Sequence, residues 1–306
     1  MRWSVLLPTN TRPDTLALTI RGVLSQTESD LELLVIGEAD ASISDPRVHW
    51  FDVPGEQAAG VRTALAAASG RYLAFAEEGS LWGPHHLSRL GALLDAESAI
   101  ASTRPTALLS SGRVVPMPFD LRDRVVLERF EHGQPLSPTA LAVSMAAVNA
   151  AGGWPSGDGP HRALVRRILA GRGVGIGYVS STTALRFVEG ELDSELDARW
   201  LDAATVVGGS LEAVVTASTL RPERWWNALD EAVGTLESRL AGQALELRGS
   251  LRDTRAELAA AQARLAELEA AYREVPSWRV PTKLREAFDK GPPAGAMSVF
   301  VEDEPG

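Results

Sequence analysis

The sequence predicts an α/β fold built on a mostly parallel sheet, on three observations. Apolar runs at residues 3–7, 31–36 and 72–76 are separated by helix-period segments at 15–25 and 57–68, the alternation of βαβ units. The runs are nearly continuous in Val, Leu, Ile and aromatic residues, as strands covered on both faces require. Each run empties into a polar loop, so three strand ends deliver polar groups to one edge of the sheet, where a ligand crevice forms.

In chain order, the first strand opens at Trp3 and stops at Pro8, with Thr9, Asn10, Thr11, Arg12 and Pro13 behind it. The helix that follows carries Leu16, Leu18, Ile20, Val23 and Leu24 as its apolar positions. The second strand ends in Gly37, Glu38, Ala39 and Asp40, and the next helix has an alanine-rich face and carries Arg62. The third strand runs into Glu77, Glu78, Gly79 and Ser80, and Pro84 is placed to start a helix that bears His85 and His86 on its surface. Gly171, Gly173, Gly175 and Gly177 imitate a dinucleotide loop, but they precede a strand-like segment at 177–181 instead of opening a helix. They read as a helix exit and a turn.

Several of these pieces, in this order, resemble one family. Ser4 to Pro13, Val23-Leu-Ser-Gln-Thr27, Leu33 to Ile36 and Gly70 to Phe75 with Leu81 and Trp82 resemble the N-terminal half of a family 2, GT-A fold glycosyltransferase of bacterial or phage type. Ala151-Gly-Gly-Trp-Pro155 followed by Leu164 to Ala170 resembles the end of that family's acceptor side, so the resemblance covers roughly residues 1 to 190. It implies a GT-A, Rossmann-like fold and an inverting transfer of sugar from a nucleoside-diphosphate sugar to a hydroxyl on a glycan, lipid or protein. The acidic motifs differ from the family's pattern. Gly37 and Glu38 stand where two aspartates are usual, Gly79 falls where the second aspartate of Asp-x-Asp would be, and Gly157 to His161 replace the acceptor-side Glu-Asp pair.

Sugar transfer needs contacts for the nucleotide, a positive charge for the leaving diphosphate and a base for the acceptor hydroxyl. On the resemblance, Pro8, Thr9, Arg12, Glu38 and Arg62 line the nucleotide, Glu77 and Glu78 hold Mg²⁺ or Mn²⁺, and Asp158 is the first choice of base with His161 second. Each has a plainer role to weigh. Thr9 and Asn10 suit a helix N-cap, Glu38 and Asp40 suit a solvated loop, Glu77 and Glu78 suit the first turn of a helix, and Asp158 suits a glycine-rich turn. A second functional class follows from the altered motifs: a catalytically inactive GT-A-like domain that works as a binding or assembly module through its C-terminal helix.

Bulk composition narrows the field. A chain of 306 residues that is 45% hydrophobic can bury a full core. A net charge of −10 disfavours nucleic acid as a partner, and the absence of cysteine removes disulfides, thiolate metal sites and a cysteine nucleophile. Neither a signal peptide nor a run of ~20 apolar residues is visible, which predicts a cytoplasmic protein.

The expected division is a transferase-like domain over 1–208, a helical linker and coiled coil over 209–275, and a short amphipathic helix with a disordered acidic tail over 276–306. Residues 224–273 lack proline, and at 1.5 Å per residue this helix reaches roughly 75 Å. Leu229, Val233, Leu236, Leu240 and Leu247 keep one heptad frame, and Leu251, Leu258, Ala261, Leu265, Leu268, Tyr272 and Val275 keep another, offset near Gly249 and Ser250. The stripe predicts a homodimer through a coiled coil, against packing along its own domain. The segment 277–288, with Trp278 and Phe288, suits a partner or a membrane surface.

Overall fold

Strands with no polar alternation are satisfied only inside a covered sheet, and that is where the three apolar runs lie. The computed structural model describes residues 1–9, 13–52, 57–109, 113–117, 119–133, 137–156, 159–188, 205–206 and 211–274. Arg12, Asp158, the amphipathic segment 277–288 and the acidic tail therefore lie outside the described residues.

The strands are β1 (Trp3–Pro8), β2 (Leu31–Ile36), β3 (Val48–Phe51), β4 (Tyr72–Phe75), β5 (Ser80–Trp82), β6 (Ile100–Thr103), β7 (Thr106–Leu109), β8 (Arg113–Pro116), β9 (Leu141–Ser144), β10 (Ile176–Val179), β11 (Ala184–Val188) and β12 (Thr205–Val206). The helices are α1 (Pro13–Leu24), α2 (Gln57–Ala67), α3 (His86–Asp95), α4 (Arg124–Glu131), α5 (Met145–Ala150), α6 (Pro160–Leu169), α7 (Leu211–Leu220) and α8 (Pro222–Glu274). A seven-stranded sheet has the order β10-β6-β9-β4-β1-β2-β3. Its β1/β2, β2/β3, β1/β4 and β6/β10 pairs are parallel, and β9 runs antiparallel to both neighbours.

Alternation along β1 assigns the two faces. Val5 and Leu7 pack under Leu16, Ile20 and Val23 of α1 and Leu87 and Leu90 of α3. Leu6 points the other way, into a cluster with Val61 and Ala64 of α2 and Leu164, Val165 and Ile168 of α6. Helices α1 and α2 thus cover opposite faces, and the chain moves outward through β2 and β3 before returning to the far side of β1 as β4. The strand order reverses between β1 and β4, and it is beyond the carboxyl ends of strands at such a reversal that open α/β sheets bind ligands.

A second sheet, of order β12-β8-β7-β11-β5, was not anticipated from the sequence. Its strand β5 occupies the stretch directly after the acidic loop, and α3 starts only at His86. Glu77 and Glu78 are therefore not in the first turn of a helix. His86 also departs from its expected surface position: it is fully buried, hydrogen-bonded through Nδ1 to Thr183 Oγ1 at 2.7 Å, and its ring lies 4.4 Å from that of Trp82. His85 is half-buried, with Nε2 2.9 Å from Glu223 Oε1.

The second sheet recruits the start of α8. Leu81, Leu108, Val114 and Leu185 pack against Val214 of α7 and against Trp226, Leu229 and Val233 of α8. Gly83 allows the approach, because a Cβ there would come within 2.7 Å of the Trp226 ring. Buried Arg104 fastens the same helix by ion pairs to Asp230 at 3.0 Å and Glu237 at 2.9 Å. One compact unit consequently spans Met1–Leu240, past the boundary at 208 expected from composition, and the second spans Ala241–Gly306. The apolar stripe divides at the same point. Leu229, Val233 and Leu236 are buried in their own domain, which corrects the expectation that they serve self-association, whereas Leu245, Leu247, Leu251, Leu258, Leu265 and Leu268 are exposed.

Candidate functional site

Three strand ends supply the candidate site. Beyond β1, Thr9 N donates to Ile36 O at 3.0 Å, and beyond β2, Gly37 N donates to Phe51 O at 3.1 Å. The ends of β1 and β2 approach so closely that a Cβ on Gly37 would collide with the Thr9 side chain, so only glycine fits where the resemblance leads one to expect an aspartate. Pro8 and Thr9 are half-buried at this edge, Gln57 Nε2 donates to Thr9 O at 3.3 Å, and Glu38 and Arg62 are exposed.

The acidic loop leaves β4 between α1 and β5, and α1 pins it with threonines spaced one turn apart. Thr15 Oγ1 donates to Glu78 Oε1 at 3.1 Å, and Thr19 Oγ1 accepts from Gly79 N at 3.0 Å. Gly79 has φ +82°, the left-handed conformation that side chains resist. Its neighbourhood is open, since an added Cβ would meet only Thr15 Cβ at 4.0 Å. The missing carboxylate at this position is thus a matter of backbone geometry and not of crowding.

Glu77 is enclosed from the other side. Thr139 N, in a short 3₁₀ turn at Pro138–Ala140, donates to Glu77 Oε2 at 3.4 Å, and Arg186 Nε of β11 lies 3.6 Å from Glu77 Oε1. Burial pushes the Glu77 carboxyl above its ordinary range, and Arg186 and the Thr139 amide oppose that shift without cancelling it. Sequence reasoning missed Thr15, Thr19, Thr139 and Arg186. The two threonines were findable as polar residues at i, i+4 beside Leu16 and Ile20. Thr139 and Arg186 come from distant parts of the chain and left no local signal.

His161, near the start of α6, meets the same strand end. Its ring stands edge-on to Phe75, the last residue of β4, and to Trp154, each at 5.0 Å between centroids. Burial lowers its pKa to about 4, so the imidazole is neutral at pH 7 and a weaker base than an ordinary histidine. Asp158, the first choice of base, and Arg12 lie outside the described residues.

The donors present make a poor shell for a divalent cation. A cation such as Mg²⁺ is held by one or two protein carboxylates, with water and substrate phosphates completing its shell. Here one of the two carboxylates faces a guanidinium, the other receives a hydroxyl, and the third position is glycine. Among the described residues no group of three or more His, Cys, Asp and Glu side chains could hold a metal ion. Among them also, no helix is long and apolar enough to cross a membrane.

No protein-family model and no curated protein sequence matches the chain. Among solved structures, Staphylococcus aureus TarS 1–349 in complex with UDP is 15% identical over 61% of this chain and 61% of its own, with a TM-score of 0.48. The same protein in complex with UDP-GlcNAc is 16% identical over 64% of this chain and 60% of its own, with a TM-score of 0.47. A mannosyltransferase from Pyrobaculum calidifontis in complex with GDP-Man and Mn²⁺ is 15% identical over 80% of this chain and 75% of its own, with a TM-score of 0.44. The chain thus spans about three fifths of the TarS fragment that it resembles.

Proposed function

We propose that the chain is a nucleotide-sugar-dependent glycosyltransferase of the family 2, GT-A type, moving a sugar with inversion to a hydroxyl on a glycan, lipid or protein. The observation that carries this reading is the strand-order reversal between the parallel neighbours β1 and β4, which puts half-buried Pro8 and Thr9 and the acidic pair Glu77 and Glu78 at the carboxyl ends of adjacent strands. Backbone at Pro8 and Thr9 suits the nucleotide, Glu38, exposed beyond β2, suits an acceptor of hydrogen bonds from the base, and Arg62 is exposed on α2. In the transfer the acceptor oxygen forms the new bond to C1 of the sugar and loses its proton to a base, while the bond from C1 to the diphosphate oxygen breaks and its electron pair leaves with the diphosphate. His161 and Asp158 are the two candidates for that base. A divalent cation, as in the notionally complete family motif, would neutralise the diphosphate charge if Glu77 and Glu78 held one.

Release of nucleoside diphosphate from a panel of uridine- and guanosine-diphosphate sugars, offered with simple glycoside acceptors, tests the reading. Turnover of any donor supports it, and failure of every donor and every free nucleoside diphosphate to bind removes it. A second reading is favoured by Gly79 and by the exposed leucines of α8: a binding or assembly module in which residues after Leu240 pair with a second copy. Binding of nucleotide with no turnover, in a dimeric protein, is its signature.

A further inference from the structure

We propose that the positive charge facing the leaving diphosphate is the Arg186 guanidinium and not a divalent cation, so that nucleoside diphosphates bind the crevice without metal. The proposal rests on the donor-site reading above and deepens it.

Three observations converge on Arg186. The first is the defective metal shell: Gly79 supplies no carboxylate, Thr15 occupies Glu78 with a hydroxyl hydrogen bond, and Glu77 has a guanidinium 3.6 Å away. An arginine and a dication at one carboxylate repel each other, so the guanidinium sits in the place of the cation and does not assist it. The second is its support. Arg186 is paired in register with Ser80 of β5 and Ala107 of β7, and the neighbouring Phe187 N donates to Gly79 O at 3.3 Å. The side chain therefore leaves a strand that is hydrogen-bonded to the acidic loop itself, a rigid base for a positioned charge. The third is its availability. Arg186 keeps 43% of its side chain exposed, and its five N–H donors exceed what one carboxylate at 3.6 Å engages. A planar fork of that kind matches two phosphate oxygens at once.

Glu77 then acts as the resting counter-ion that orients Arg186, and the diphosphate takes over part of that pairing when it binds. Bidentate contact to phosphate is worth roughly ten- to a hundredfold in affinity.

Calorimetric titration of the full chain with uridine and guanosine diphosphates, in EDTA and again in Mn²⁺, tests this. The expected result is the same affinity in both for the nucleotide that binds, a loss of tenfold or more in Arg186→Ala, and a smaller loss in Arg186→Lys, which keeps charge but not the fork. Glu77→Gln, which would destroy a cation site, is expected to bind in EDTA as well as the native chain or better, and circular dichroism reports that each variant is folded. Binding that needs Mn²⁺ and vanishes in Glu77→Gln overturns the proposal while leaving the donor site standing, as does native affinity in Arg186→Ala. If neither nucleotide binds under any condition, the donor-site reading fails and takes this proposal with it.

Discussion

Gly79, buried His86 and half-buried His161 are single residues whose roles are set by backbone and surroundings rather than by residue type. At Gly79 there is room for a side chain but the φ of +82° resists one. Gly79→Ala is expected to cost about 1–2 kcal/mol in denaturant unfolding. A neutral result would mean that the loop relaxes. His86 and His161 are held neutral by burial, with pKa values of about 3 and about 4, and unfolding returns both toward 6.5. Below 6.5 the unfolded chain binds protons that the folded chain refuses, so stability falls as pH drops from 6.5 toward the folded values. Between pH 7 and pH 5 each histidine is expected to remove about 2 kcal/mol. Glu77 has the opposite sign: its raised pKa favours the folded chain on acidification, and its effect begins below that raised value. Urea midpoints at the two pH values, in the native chain and in His86→Gln, check this, since the variant should show a slope shallower by one histidine. The sequence could not distinguish His85 from His86. They are adjacent on a helix start, and only the arrival of Thr183 and Trp82 from elsewhere decides which ring is enclosed.

Among elements, α8 is where sequence periodicity was most legible and its partner least so. The heptad pattern marks a helix, and a helix of 53 residues is present. Periodicity says that a stripe is covered, but not by what. The answer changes along the helix, because the short strands of the second sheet leave an apolar surface that Trp226, Leu229 and Val233 close. Those strands run three to five residues in β5, β7, β8 and β11 and carry no period long enough to read. By contrast β1, β2 and β4 stood out as continuous apolar runs bounded by Pro and Gly. The expected contrast is sharp. Leu229→Ala should cost the first unit about 2–5 kcal/mol through lost burial and a cavity, whereas Leu265→Ala, past Leu240, should change the unfolding of that unit by no more than about 0.5 kcal/mol. An equal loss of first-unit stability at both positions would overturn the division of the stripe at Leu240.

At the scale of the whole molecule, the helix α8 joins two compact units, and each can be asked separately what it needs. The doubly covered sheet was legible because parallel strands demand apolar runs and crossover helices, which are local signals, whereas the strand order with its reversal between β1 and β4 came only with the fold. The site was less so, since Arg186 and Thr139 reach Glu77 across more than sixty residues of sequence. A cut at residue 208 or 220 would strip Trp226, Leu229 and Val233 from the core. A chain ending at Leu220 is therefore expected to melt far below the native one or to aggregate, and a chain ending at Leu240 to keep the native melting transition of the first unit. The exposed leucines from Leu245 to Leu268 lie entirely past that second cut. An isolated helix of this kind is marginal in water, and six large apolar side chains on one element are an unusual burden for a monomer. Pairing with a second copy covers them, so light scattering should give a dimer for the full chain and a monomer for the chain ending at Leu240. A dimer that persists after the cut at Leu240 would move the interface onto the first unit, and a monomeric full chain would end the self-association reading.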